Sequence, residues 1–337
     1  MSLLTISGLG VEFGPRAAPL SAVRDVSLTV DPGEVIGLVG ESGSGKSLTS
    51  RAIMRMVPSP GRISAGEIYF DGRDVMAMSS KELRSFRAHD VGMIFQDPFS
   101  SLNPVFKVGA QITETLRANL GLGRAEARST AIDMLERVGI PRPEQHFSSY
   151  PHELSGGMRQ RVMIALATAS RPRFLLADEP TTALDVTTQK QILTLLATMR
   201  RDFDMAMLLV SHDFGVIAQM CDRVAVMYGG QIVESGPVEA IYRTPQHPYT
   251  RALLASVPEL DAVDQRSRPT PLEGYPPEIG PVRDECVFVE RCPSARPDCR
   301  SGRMSLEQVG TRHHSACPFE GRPAEGAQSP VAKERVV

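Results

Sequence analysis

No run in this sequence approaches 18 apolar residues, so no stretch has the make-up of a membrane-spanning helix. An excess of either charge is missing too: 37 Lys and Arg face 39 Asp and Glu, and the resulting net charge of -2 gives no electrostatic reason to expect a nucleic-acid partner. The opening Met1-Ser2-Leu3-Leu4-Thr5 lacks a basic stretch followed by an apolar core and a cleavage site. The expectation is a chain that stays in the cytoplasm and meets a membrane only through partners. Cysteine is scarce: Cys221 stands alone, and Cys286, Cys292, Cys299 and Cys317 crowd towards the end. A cytosolic compartment argues against disulfides, so that crowding needs another reading.

What is present is ordinary globular material: 337 residues, 42% hydrophobic and 23% charged, enough for one large domain and a smaller one. Within it Gly40-Glu41-Ser42-Gly43-Ser44-Gly45-Lys46-Ser47 fits the phosphate-loop pattern G-x-x-x-x-G-K-[ST] without a gap. The apolar β-type segment Val35-Ile36-Gly37-Leu38-Val39 precedes it, and Leu48 to Met56 carries apolar residues at helical spacing. A triphosphate needs a concave set of backbone N–H donors, and Gly40, Gly43 and Gly45 give the chain the freedom to curl into one. Lys46 would bring positive charge to the outer phosphates, Ser47 Oγ would ligate Mg2+, and the following helix would add its N-terminal partial charge. A plain glycine-rich turn is the alternative, but the four fixed positions coincide by chance in only about one per cent of chains this long.

Along the chain, Leu9–Phe13 and Val26–Val30 read as strands around a loop containing Pro15 and Pro19. Gly66 to Gly72 alternates like a strand closed by an Asp-Gly turn, and Val91 to Phe95 is a further strand ending at Gln96. From Val108 to Ala169 the texture is helical, with Ile112, Leu116 and Leu120 in one stripe and Ile132, Leu135 and Val138 in another. Strand patterns return at Phe174–Ala177, Ala206–Val210 and Val224–Met227, alternating with helical patterns from Thr187 to Arg201 and Phe214 to Cys221. That alternation predicts an α/β fold with a parallel sheet covered by helices. Beyond Arg243 the prolines at 245, 248, 258, 269, 271, 276, 277 and 281 predict a linker followed by a small appended unit. Residues 321–337 are polar and proline-containing, and are expected to be disordered. No internal repeat is visible.

Phe174-Leu175-Leu176-Ala177-Asp178-Glu179 is an apolar strand ending in two carboxylates. A phosphate-loop ATPase needs one such acid for the Mg2+ shell and a second to polarise the attacking water. Leu154-Ser155-Gly156-Gly157-Met158-Arg159-Gln160-Arg161 opens a helix, with Ser155 as its N-cap. Together with Gln96, Ala183-Leu184-Asp185 and Ser211-His212-Asp213, these residues resemble, in order, the phosphate loop, Gln loop, signature, acidic strand, D-loop and His switch of the ABC-type ATPases. The resemblance covers about residues 1 to 260. Tyr150-Pro151-His152-Glu153 and the run from Thr244 to Leu254 narrow it to the ATPase subunits of dipeptide, oligopeptide and nickel importers. Met158 stands where the general signature has Gln, and is usual in this subgroup.

The resemblance implies an ABC ATPase domain over residues 1–243, with a central mixed or parallel sheet, an antiparallel β subdomain and a helical subdomain at about 97–170. A Cys-containing extension would span 244–320. Two such domains close head to tail, each ATP lying between one phosphate loop and the signature of the other domain. Gly40, Glu41, Ser42, Gly43, Ser44, Gly45, Lys46, Ser47 and Leu48 would hold one nucleotide, and Ser155, Gly156 and Gly157 the partner's γ-phosphate, with Asp185 beside them. Phe13 would stack on adenine, unless it is simply strand core. Glu179 would be the general base, Asp178 a Mg2+ contact through water, Gln96 a sensor of Mg2+ and the membrane subunits, and His212 a γ-phosphate contact. The stretch near Asp97 to Val108 would carry the motion to membrane helices.

The same resemblance implies partners: two permease subunits, a second identical or related ATPase, and an extracytoplasmic solute-binding protein, with this chain peripheral on the cytoplasmic face of the membrane. Cys286, Cys292, Cys299 and Cys317 form C-x5-C-x6-C-x17-C, and in similar importer ATPases a 4Fe-4S cluster is expected there. Zinc through His313 or His314, and bare thiols, stay open as alternatives. So do a nickel-importing motor and a soluble ABC ATPase acting on ribosomes or nucleic acid, although no basic arm is present for the latter.

Overall fold

The computed structural model describes residues 2–97, 101–182, 184–256 and 272–319. Ala183, part of the D-loop reading, lies outside the described residues, as do the prolines at 258, 269 and 271 and the terminal stretch 321–337. In chain order the elements are β1 (Leu4–Phe13), β2 (Leu20–Val30), β3 (Val35–Val39), α1 (Lys46–Ile53), β4 (Arg62–Phe70), β5 (Arg73–Asp74), α2 (Ser80–His89) and β6 (Val91–Ile94). They continue as α3 (Val108–Leu120), α4 (Arg124–Arg137), α5 (Pro143–His146), α6 (Gly156–Thr168), β7 (Phe174–Asp178), α7 (Val186–Phe203), β8 (Ala206–Ser211) and α8 (Phe214–Met220). The last are β9 (Arg223–Tyr228), β10 (Gln231–Pro237), α9 (Val238–Arg243), α10 (Pro248–Ala255), β11 (Glu307–Gly310) and β12 (His313–Ser315). Two compact units emerge, one from residues 1–30, 35–76 and 211–337, the other from 31–34 and 77–210.

The first unit contains an antiparallel sheet and a mixed one. In the former, β1 pairs with β2 from Leu4↔Val30 to Phe13↔Leu20 and with β4 from Leu4↔Phe70 to Glu12↔Arg62. Val26, Leu28 and Val30 are buried while Ser27 and Thr29 are exposed, the alternation of a sheet with one wet face. In the mixed sheet β3 runs parallel to β9 and β10 antiparallel to it. All five residues of β3 are buried, which accounts for its unbroken apolar run.

The C-terminal segment folds into this unit rather than standing apart as the proline-rich composition suggests. β12 pairs with β10 through Glu234↔Ser315 and Ser235↔His314, and β11 adds to β12. Pro248, expected to break structure, instead opens α10 at its first turn, where the missing N–H costs nothing. Tyr249 and Phe288 are almost wholly buried and meet Tyr228 at ring-centroid distances of 4.5 and 5.1 Å. His247 joins them, 5.8 Å from Phe288.

The second unit carries the parallel strands β6, β7 and β8, paired from Val91↔Phe174 and from Phe174↔Ala206 onward. All are buried along their length. Its helices follow the predicted stripes in part, with Ile132 of the second only half-buried. Ile112 and Leu116 are buried in α3, but Leu120 is 41% exposed, because Gly121 ends the helix in a left-handed cap and the stripe stops a turn early. In α4 the core face is Ala127, Ala131, Met134 and Leu135. Among the described residues no helix is long and apolar enough to cross a membrane.

His247 generates a pH prediction. Its Nδ1 accepts the Tyr249 N–H at 3.1 Å, which requires an unprotonated nitrogen. Burial lowers its pKa from 6.5 to about 4, against the opposing pull of Glu234. The neutral form is therefore favoured by folding, and this contribution is complete above about pH 6.5 and shrinks as pH falls towards 4. Between pH 7.5 and pH 5 the cost comes to about 2 kcal/mol. Urea unfolding at those two pH values should show that loss in the wild type and a smaller one in His247→Asn.

Candidate functional site: an ATP-binding cassette

The phosphate-loop residues belong to the first unit, between β3 and α1. Gly40 is forced by close approach: any Cβ there would be driven into the Met227 carbonyl oxygen of β9. Gly45 has φ 101° and would place a Cβ 2.8 Å from Met227 Cε and 2.9 Å from the Ala22 carbonyl oxygen. It is also the N-cap of α1, whose first turn has no side-chain cap, so the amides at that end are directed at the loop. Lys46 is 4% exposed, and its Nζ donates to the carbonyl oxygens of Gly40 and Glu41, both at 2.8 Å. Ser42 and Gly43 are exposed, Ser47 and Leu48 half-buried, and Ser44 buried with its carbonyl accepting from Gly230 N–H. Phe13 is half-buried at the end of β1, its ring against Gly61. His212, also in this unit, is exposed.

Sequence reasoning missed two residues that hold this loop. The Glu41 N–H donates to Tyr249 Oη at 2.9 Å, and the Glu41 carboxylate takes a two-pronged bond from Arg291 at 2.7 and 3.1 Å. Tyr249 lies in a run that marked the family resemblance, with no local sign that its hydroxyl meets the loop. Arg291 carried no signal at all, being 250 positions from Glu41.

In the second unit, β7 ends at the fully buried Asp178 and hands over to Glu179. Glu179 has φ 48°, a left-handed backbone that a side chain adopts only under compulsion. The compulsion is visible: its N–H donates to the Val210 carbonyl at 3.0 Å, and its Oε2 accepts from Gln96 Nε2 at 3.1 Å and Thr182 Oγ1 at 2.8 Å. Gln96 and Glu179, assigned separately from sequence, are thus brought together. Thr182 was missed, although a hydroxyl three residues beyond the acid is a signal that sequence could supply.

Ser155 caps α6 as expected, its Oγ accepting the Met158 N–H at 3.3 Å. It is exposed, with Gly156 and Gly157 half-buried behind it. Buried Gln160, one turn on, donates to the Pro180 carbonyl at 2.6 Å. Asp185 caps α7 through the Thr188 N–H at 2.9 Å, and that hydrogen bond lowers its carboxyl pKa. Ser47, Gln96 and Asp178 each carry an oxygen donor of the hard type that suits Mg2+.

The expected 4Fe-4S site is not found. Among the described residues no group of three or more His, Cys, Asp or Glu is placed to hold a metal ion. Cys286, Cys292, Cys299 and Cys317 are free thiols. Burial pushes the Cys286 thiol up to about 11, with the nearby Cys299, Cys292 and Cys317 adding to the rise. The Cys286 backbone N–H donates to the Cys299 carbonyl at 2.8 Å, and the Cys317 thiol donates to the Phe319 carbonyl at 3.6 Å. His313 Nε2 pairs with the Glu234 carboxylate at 2.8 Å.

A glycine-formed phosphate loop with a buried lysine, a strand-end acid pair and a serine-capped glycine helix define the class as an ATP-binding cassette, and the comparisons agree. Residues 23–182 match the ABC transporter family and residues 233–299 the oligopeptide/dipeptide transporter C-terminal region. The dipeptide transport ATP-binding protein DppD of Escherichia coli (strain K12) is 45% identical over 327 residues, 96% of this chain and 99% of that protein. The oligopeptide transport ATP-binding protein OppD of Bacillus subtilis (strain 168) is 49% identical over 278 residues, 82% of this chain and 77% of that one. A dimeric ATP-binding cassette in a post-hydrolysis state with ADP and Pi aligns at TM-score 0.63 and 26% identity, over 70% of this chain and 98% of that one. CbiO1 of Clostridium perfringens, part of an ABC transporter complex, aligns at TM-score 0.62 and 26% identity, over 72% of this chain and 90% of its own. The chain belongs to the ATP-binding subunits of the dipeptide and oligopeptide ABC importers, a family of ATPases that dimerise, partner permeases and couple ATP hydrolysis to transport.

Thr182→Ala should leave the KM for ATP unchanged and lower kcat by about three- to tenfold, because it loosens an acid and leaves the phosphate loop intact. Steady-state ATPase of the assembled transporter measures both.

Proposed function

We propose that this chain energises peptide uptake by hydrolysing ATP at two composite sites, each formed by its phosphate loop and the signature of a second cassette. The observation that carries the reading is Glu179, held in a strained conformation and gripped by Gln96 and Thr182 at the end of an acidic strand. Its carboxylate is positioned to draw a proton from the attacking water, and Gln96 orients it. The loop amides and Lys46 neutralise charge that builds on the transferred phosphoryl group. Ser47, Gln96 and Asp178 are the groups that would hold Mg2+, which when bound would supply charge neutralisation to the phosphates. Phe13 stacks on adenine, and His212 contacts the γ-phosphate. Ser155, Gly156 and Gly157 present helix N–H groups to the nucleotide of the partner cassette, with Asp185 beside them. Closure over two nucleotides drives two permease subunits, which receive substrate from an extracytoplasmic solute-binding protein. The chain sits at the cytoplasmic face of the membrane. Peptide is the favoured cargo because the C-terminal match and both named relatives belong to peptide transport.

Glu179→Gln should keep ATP binding, accumulate as a closed dimer and lose hydrolysis by about a hundredfold or more. Steady-state turnover equal to wild type would remove Glu179 from the role. A reconstituted transporter should take up a labelled dipeptide only with ATP, and failure of that uptake with ATPase intact would redirect the cargo assignment.

A further inference from the structure

Glu41 occupies a variable position of the phosphate loop, yet it is tethered at three points. Its carbonyl accepts from Lys46 Nζ, its N–H donates to Tyr249 Oη, and its carboxylate is forked by Arg291. Arg291 is 7% exposed along its side chain, and the rest of its donors are spent too: Nη1 on Tyr228 Oη at 3.2 Å, Nε on the Glu273 carbonyl at 2.9 Å and Nη2 on the Leu272 carbonyl at 3.4 Å. A planar fork fixed on both sides transmits position, whereas a lysine at the same place would offer a point charge. Both anchors come from the C-terminal segment. Tyr249 is fixed by the His247 ring accepting its N–H, and Arg291 by its backbone N–H donating to the carbonyl of Phe288 at 3.1 Å, a residue 1% exposed in the aromatic cluster.

We infer that Arg291 and Tyr249 are positioning residues of the ATP site, a clamp on Glu41 through which the C-terminal segment sets the curvature of the phosphate loop and hence the affinity for ATP. Neither touches the nucleotide; they act through the Glu41 backbone and its neighbour Lys46. The inference rests on Gly40–Ser47 being the phosphate site. It gives the C-terminal segment an input into the chemistry: a displacement of α10 reaches the loop through Tyr249, and one of residues 272–319 reaches it through Arg291.

The test uses the full chain assembled with its permease partners, with ATP titrated in equilibrium binding and in steady-state hydrolysis. Arg291→Ala should weaken ATP binding and raise KM about tenfold with kcat little changed, Arg291→Lys should recover about a third of that, and Glu41→Gln/Arg291→Ala should be no worse than Arg291→Ala alone. A merely structural Arg291 would lower the melting temperature and leave the KM of the folded protein alone. Should Arg291→Ala fail to fold, Tyr249→Phe, which removes one hydroxyl and keeps the ring, decides on the same scale. Binding and KM within twofold of wild type in these variants, with Lys46→Ala unable to bind ATP, overturns the clamp and leaves the site standing. Wild-type binding by Lys46→Ala overturns the site, and the clamp with it.

Discussion

The contact on which the rest depends is the approach of the phosphate loop to β9, where the Gly40 Cα lies against the Met227 carbonyl with no room for a side chain. Parallel pairing of β3 with β9, through Leu38↔Ala225 and Val39↔Val226, brings that carbonyl to the spot where the chain leaves the strand. The loop must turn there, and the turn fixes where α1 begins and where Lys46 is buried. Its Nζ then closes the ring by bonding back to Gly40 and Glu41. Strand pairing, loop curvature and the buried charge are one constraint in three forms. A wrong register between β3 and β9 would dissolve all of them.

Much of this was legible in the sequence because it is local. A strand, a glycine loop and a helix in immediate succession announce themselves through spacing, and so does an apolar strand ending in Asp178 and Glu179. Ser155 declared itself as a cap for the same reason: a short polar side chain ahead of a helix has few better uses. Where reading by pattern went astray, a competing local rule had won. Gly121 cut short the stripe that included Leu120, and Pro248 served as a first-turn residue rather than a breaker. The four C-terminal cysteines looked like a ligand set by count alone, but count says nothing of where thiols point, and among the described residues no group of three or more is placed to hold a metal ion.

What no local rule could reach is the tie between the two ends of the chain. Glu41 and Arg291 meet only because β12 returns to the edge of the sheet containing β10 and because Phe288 seats against Tyr228 and Tyr249. Periodicity and motif spacing see neighbours; a salt bridge spanning most of the sequence is a property of topology. The strain at Glu179 was hidden in the same way, since a left-handed glutamate has no signature until the Val210 carbonyl and the Gln96 amide are seen holding it.

The buried hydrogen bond from Gln160 to Pro180 has a mechanical meaning. It fastens the second turn of α6 to the turn that carries Glu179, so the glycines that open α6 and the acid that ends β7 move as one lever. In a head-to-tail pair of cassettes, the far end of that lever would rest on one nucleotide and its near end on the water attacking the other. The two halves would then keep time with each other within each protein, by leverage alone, before any message passes through the membrane.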